Sequence, residues 1–217
     1  MPSSTEIARL TEIARGILVG DSSCHDWDHT LRVLRTAMRL AEGAAADSAV
    51  ITAAAILHDI GRPQETADRG KSDHAAIGAR MALAILAGEE IGDEPFRRHV
   101  ADCIRTHRYR SRTAEPPATI EARIIYDADK LDSLGAIGLA RSFHFAGRSG
   151  ARVHNTAGEA LSGLPYGRED SAYREYLVKL RELPARMLTA AGRAEALRRV
   201  AFMAAFFDEL NQECDNT

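Results

Sequence analysis

Apolar side chains recur every three to four positions along most of the chain, and the period-two alternation of a half-buried strand is nearly absent. The pattern predicts an all-α protein. Ile7, Leu10, Ile13, Ile17 and Leu18 form a first apolar face, with Ser3 and Glu6 spaced as a capping box at its start. A second helix is predicted over residues 27–43, burying Leu31, Leu34, Met38 and Ala41. A third begins after Asp47 and runs to residues 60–61, where Gly61 and Pro63 stop it. A fourth, capped by Ser72 or Asp73, carries Ile77, Met81, Leu83 and Leu86 toward Gly88, and a fifth spans 94–108.

Residues 109–119 contain Pro116 and Pro117 and are predicted as a loop, because two prolines would break a helix. Helices resume over 120–134 and 137–146. Between 147 and 168 glycine recurs at 147, 150, 158, 163 and 167, which favours an irregular, mobile connection and makes this segment a candidate lid. Closing helices are predicted over 172–183 and 185–210, with Tyr173, Tyr176, Leu177, Leu180, Leu188, Leu197, Val200, Met203 and Phe207 buried. Without internal repeats and with short connections, the expectation is one compact helical bundle over residues 1–217.

Composition narrows the class. The chain has 217 residues, 45% of them hydrophobic, and its 28 basic and 31 acidic side chains leave a net charge of -3. That composition builds a core and excludes disorder as the main state. The charges are interspersed, so no stripe suited to duplex nucleic acid stands out. The longest apolar run, 49–57, falls well short of the roughly 20 residues needed to cross a bilayer. Cys24, Cys103 and Cys214 are odd in number and far apart, and residues 1–20 lack the apolar core of a signal peptide. Both features predict free thiols in a cytoplasmic protein. None of the three cysteines has a nucleophile's local signature, and self-association is left open.

Chemistry concentrates in the histidines and in one run of acids. His25 and His29 lie four apart at a helix start. His58-Asp59 ends a very apolar helix, where an uncompensated charge is costly and a divalent cation shared with imidazoles is one compensation. Asp129 stands among Ile124, Ile125 and Leu131, while Asp127 and Asp132 read as surface or supporting groups. A mixture of imidazole and carboxylate suits Mn, Fe, Co, Ni or Zn better than an oxygen-only Mg or Ca cage. His99, His144 and His154 read as ordinary hydrogen-bonded or surface histidines. Neither GxGxxG nor a P-loop occurs, so a bound nucleotide would depend on metal and basic groups.

The order His29, His58-Asp59, Asp129 resembles the H...HD...D signature of the HD-domain metal-dependent phosphohydrolases. The strings HDWDHTLRV at 25–33, AAILHDIGR at 54–62, SDHAAIGA at 72–79 and DADKLDSLGAIGLAR at 127–141 look like the YedJ-like stand-alone bacterial branch, and KLRELPARM at 179–187 extends the likeness. The resemblance implies a helical bundle with its metal-site core at about 25–146 and closing helices at 169–211. It also implies a divalent metal, Mg included, held by His29, His58, Asp59 and Asp129. The implied reaction is hydrolysis of a small phosphorylated substrate, a nucleotide above all, by a metal-activated water that Asp59 or a neighbouring acid orients.

Some relatives use histidines placed like His74 and His107 for a second metal, and others use them to touch phosphate. The helix start at His74, and Arg105, Arg108 and Arg110 around His107, suit phosphate directly. Arg62, Lys71 and Lys130 are candidate phosphate contacts, and His25 is a phosphate contact, a supporting group or simply part of its helix's cap region. Glu65 is the nearest match to the carboxylate that assists the water in single-metal relatives. Two other readings keep the same pocket: a di-iron oxygenase of the same fold, and a nucleotide sensor without catalysis.

Overall fold

The computed structural model describes residues 2–19, 25–108 and 115–215, and among these it is helical without a strand. Cys24, Arg110 and much of the loop predicted over 109–119 lie outside the described residues. The chain divides into two compact units, residues 1–129 and 130–217.

In the first unit α1 (Ser4–Leu18) starts at the predicted capping box, with Ser3 and Glu6 exchanging both bonds, and buries Leu10, Ala14 and Leu18. Helix α2 (Trp27–Leu40) is capped by Asp26, whose carboxylate accepts the His29 N–H at 2.9 Å. Its inward face is His29, Thr30, Val33, Thr36, Ala37 and Leu40, so the helix is turned from the orientation predicted: Leu31, Leu34 and Ala41 are half-buried and Met38 is exposed. That orientation buries the imidazole of His29 together with Val33, Ala37 and Leu40. Helix α3 (Ser48–Leu57), capped by Asp47, is buried almost all round and packs against α1, α2 and the sixth helix.

Helix α3 stops at Leu57 rather than at 60–61. His58 closes it, and after a tight turn Gly61 leads into a short α4 (Arg62–Ala67) with Pro63 in its first turn, a place proline favours. Gly61 is required by packing rather than as a stop signal: a Cβ there would lie 2.2 Å from the His74 carbonyl oxygen and 2.7 Å from the Gly78 nitrogen. The turn therefore rests directly on α5 (His74–Gly88), which is capped by Asp73 and pairs with α6 (Glu94–Thr106). Leu83, predicted as buried, is exposed. Cys103 in α6 is fully buried, and burial pushes its thiol up to about 12. Helix α7 (Ile120–Leu131) carries the last acids of this unit, and its Glu121 accepts the Asp47 N–H at 2.8 Å.

The second unit holds α8 (Gly135–Arg148), α9 (Ala157–Ser162), α10 (Ala172–Val178), a 3-10 helix (Leu180–Arg186) and α11 (Ala190–Asp215). The 147–168 segment is less irregular than its glycines suggest. Thr156 and Glu159 form a capping box that starts α9. Buried Asn155 donates to the Glu169 carbonyl at 3.0 Å and accepts from Ser171 at 2.6 Å. A 3-10 turn containing Pro184 replaces the start predicted for the last helix, and Leu188 and Leu197 are exposed while Met203 and Phe207 are buried. Asp132, read as a surface or supporting group, is buried and paired with Arg141 at 2.6 Å. Among the described residues no helix is long and apolar enough to cross a membrane.

Candidate metal centre

Five elements of the first unit bring their polar side chains to one buried place. His29 comes from the first turn of α2, His58 and Asp59 from the end of α3, and His74 from the first turn of α5; His107 caps α6 and Asp129 lies in α7. All but Asp129 are essentially inaccessible, and its side chain is 12% exposed. Asp59 stands at the centre. Its Oδ2 lies 3.5 Å from His29 Nε2 and 3.4 Å from His58 Nε2, while Oδ1 lies 3.4 Å from His74 Nε2 and 3.6 Å from His107 Nε2. Asp129 Oδ1 is 3.5 Å from His29 Nε2. Three ligand-competent groups result among the described residues: His25 with His29 and Asp59, His29 with His58 and Asp129, and Asp59 with His74 and His107.

The local fold settles which nitrogen faces inward. His58 Nδ1 donates to the Ala55 carbonyl at 2.8 Å and His107 Nδ1 to the Ile104 carbonyl at 2.6 Å. Each ring is thereby fixed by the last turn of its own helix, with Nε2 left as a ligand atom. The inward atoms crowd: His29 Nε2 and His58 Nε2 are 3.2 Å apart, as are His74 Nε2 and His107 Nε2. Neighbouring ligands of one ion, each about 2.1 Å from it, would stand about 3.0–3.4 Å apart. Asp59 Oδ1 is buried and accepts no hydrogen bond from the described residues, an orphaned acceptor that a cation would satisfy. The donor set and its spacing fit divalent metal.

Burial opposes the charged form of three of the imidazoles around Asp59. Burial lowers His25 to about 4 and, with Arg62 and His107 adding to it, His74 to about 2; burial also holds His107 below its ordinary value. Burial works against ionisation of Asp59, but His58 and Arg62 outweigh it and keep the carboxyl well below its usual range.

The remaining predicted residues are distributed unevenly. His25 lies just outside α2 rather than one helical turn from His29, yet its Nδ1 reaches Asp59 Oδ2 at 3.2 Å. Arg62 pairs with Asp59, Nε to Oδ2 at 2.6 Å. Lys71 is exposed in the turn before α5, and Lys130 follows Asp129 in α7, half-buried. The anion position at the start of α5 is taken by Asp73, which caps it. Asp127, read as a surface or supporting group, is fully buried. His99 bonds Thr119 at 3.0 Å, and His154 bonds Asn211 at 3.0 Å in the second unit, as ordinary histidines do. The contact between Glu65 and His74, 2.7 Å across nine residues, follows no helical spacing and was not legible in the sequence.

Comparison with known proteins converges on the same stretch. Residues 26–134 match the model of the HD domain. The uncharacterized protein YpgQ of Bacillus subtilis strain 168 is 33% identical over 200 residues, covering 92% of this chain and 89% of that protein. A crystal structure of an HD-superfamily hydrolase from Bacillus thuringiensis superposes with a TM-score of 0.74 at 29% identity, covering 98% of both chains. Bacillus subtilis YpgQ solved in complex with ADP superposes with a TM-score of 0.73 at 27% identity, covering 95% of this chain and 97% of that one.

Proposed function

The chain belongs to the HD domain family, and on that premise we propose that it is a metal-dependent phosphohydrolase cleaving a phosphate ester or anhydride of a small molecule, a nucleotide above all. The observation that carries this reading is the division of Asp59: one oxygen faces His29 and His58, the other faces His74 and His107, and nothing among the described residues hydrogen-bonds the second. His29, His58, Asp59 and Asp129 would hold one ion, and Asp59, His74 and His107 a second. A divalent cation there, Mn, Fe, Co, Ni, Zn or Mg, supplies Lewis-acid stabilisation of phosphoryl oxygens and acidifies a water.

The protein's own residues do the rest. His58 and His107 present fixed lone pairs, so the pocket pays no reorganisation when charge develops in it. Asp59, adjacent to both clusters, is the proposed catalytic residue that positions the attacking water. Arg62 and Lys130 are proposed to meet the substrate's phosphates, with Lys71 and His25 as further contacts. The ADP complex of YpgQ supports a nucleotide as the substrate class. The cysteine pattern supports a reducing, cytoplasmic setting.

The test is a panel of nucleotides and small phosphate esters offered to protein loaded with each metal, with phosphate and pyrophosphate measured separately. Asp59→Asn is expected to lose metal uptake and product release together, and full turnover by that variant would defeat the reading. Because Asp59 lies between two sets of imidazoles, a di-iron oxygenase is the second reading: two irons per chain with oxygen consumption would favour it. A nucleotide that raises the melting temperature in every metal yet yields no product would instead indicate a sensor.

A further inference from the structure

His74 is held in a different way from the other imidazoles whose support is visible. His58 and His107 each close a helix and turn Nδ1 back to a carbonyl three residues earlier. His74 opens α5, where no preceding turn offers a carbonyl. Its Nδ1 instead meets Glu65 Oε2 from α4 at 2.7 Å. The other oxygen of Glu65 is gripped by Arg108, which follows α6, and Arg62 lies 4.0 Å from Oε2. Arg108 Nη1 also approaches His74 Nδ1 at 3.1 Å. A guanidinium only donates and an ionised carboxylate only accepts, so the two contacts demand opposite states of Nδ1. The shorter contact decides: the proton sits on Nδ1 and points at Glu65, while Arg108 spends its N–H on the other carboxylate oxygen. His74 Nε2 is then a bare lone pair, 3.4 Å from the orphaned Asp59 Oδ1 and 3.2 Å from His107 Nε2.

We propose that Glu65, clamped by Arg108, is the positioning residue that fixes His74 as the Nδ1–H tautomer and thereby shapes a second cation position beside Asp59 Oδ1. The cation half of this inference rests on the metal-dependent reading above; the tautomer half does not. Glu65 is thus engaged away from the pocket, which separates it from the water-assisting carboxylate its place in the sequence suggests. A partner of this kind orients the ring and raises its basicity, and its removal typically weakens metal affinity by about 10- to 100-fold.

The experiment uses the full chain with 15N-labelled histidine and the variants Glu65→Ala and Glu65→Gln. Long-range proton–nitrogen spectra of metal-free protein are expected to show His74 protonated at Nδ1 in the wild type and in Glu65→Gln, whose amide oxygen still accepts, and shifted toward Nε2–H in Glu65→Ala. Calorimetric titration with Mn2+ or Co2+ is expected to show two uptake steps, one weakened about 10- to 100-fold in Glu65→Ala and largely rescued in Glu65→Gln. A wild-type ring protonated at Nε2 overturns the proposal without any variant having to fold. So does a folded Glu65→Ala protein with an unaltered tautomer and both uptake steps intact. A wild-type chain that takes up no ion overturns the metal reading instead, because the tautomer spectra need no metal and still decide what Glu65 does.

Discussion

At the scale of single residues, three imidazoles of the centre, His25, His74 and His107, are disfavoured in their charged form by burial. An unfolded histidine takes up its proton near pH 6.5, whereas His25 does so near 4 and His74 near 2, and His107 is lowered as well. Between those values the unfolded chain binds protons that the folded chain refuses, so stability rises with pH there and is lost on acidification. Metal-free protein is therefore expected to hold a constant denaturant midpoint above about pH 7 and to lose stability from about 6.5 toward about 4. The slope approaches about 1.4 kcal/mol per pH unit for each such group. Urea titrations at stepped pH measure it, and a flat profile would show that the rings are not held neutral. The ligand candidates themselves were legible, since H, HD and D recur in a family order and a buried charge implies a partner. The fully buried Asp127 was not, because sequence does not reveal which carboxylates of a crowded helix face inward.

At the scale of elements, capped helix starts were legible, while burial faces were legible only in part: Leu10, Leu86, Met203 and Phe207 are buried as predicted, and Met38, Leu83 and Leu197 are not. Ser3, Asp47 and Asp73 cap because a side-chain oxygen reaches an amide two or three residues on, a purely local event. The same signal at Thr156 and Glu159 marks α9, which the surrounding glycines obscured. The largest aliphatics of α2 predict one face, whereas the buried face carries His29 and Thr30 with Val33, Ala37 and Leu40, a tertiary arrangement that local hydrophobicity does not reveal. Gly61 is likewise explained by tertiary packing, since α5 lies directly against it. Gly61→Ala must force the His74 backbone away and is expected to cost about 1–3 kcal/mol, as overpacking does. It should also weaken metal uptake through His74. Thermal melts paired with a metal titration check both effects, and an unperturbed variant would contradict the close approach.

At the scale of the whole molecule, the ligand candidates span residues 29 to 129 and all fall in the first unit. A cation that binds only the folded arrangement stabilises it by about 2.7 kcal/mol at a hundredfold excess over Kd. Melting temperatures are expected to rise with added Mn2+ or Co2+ and to return to the metal-free value with chelator. A melting curve indifferent to both would remove the centre from the account. Cys103 offers a way to watch the same linkage from within. Its thiol lies inside the first unit and is pushed far from ionisation, while Cys214 is half-buried in the second. Alkylation at Cys103 thus waits for that unit to open, and peptide-resolved labelling turns this buried thiol into a clock for the first unit's breathing.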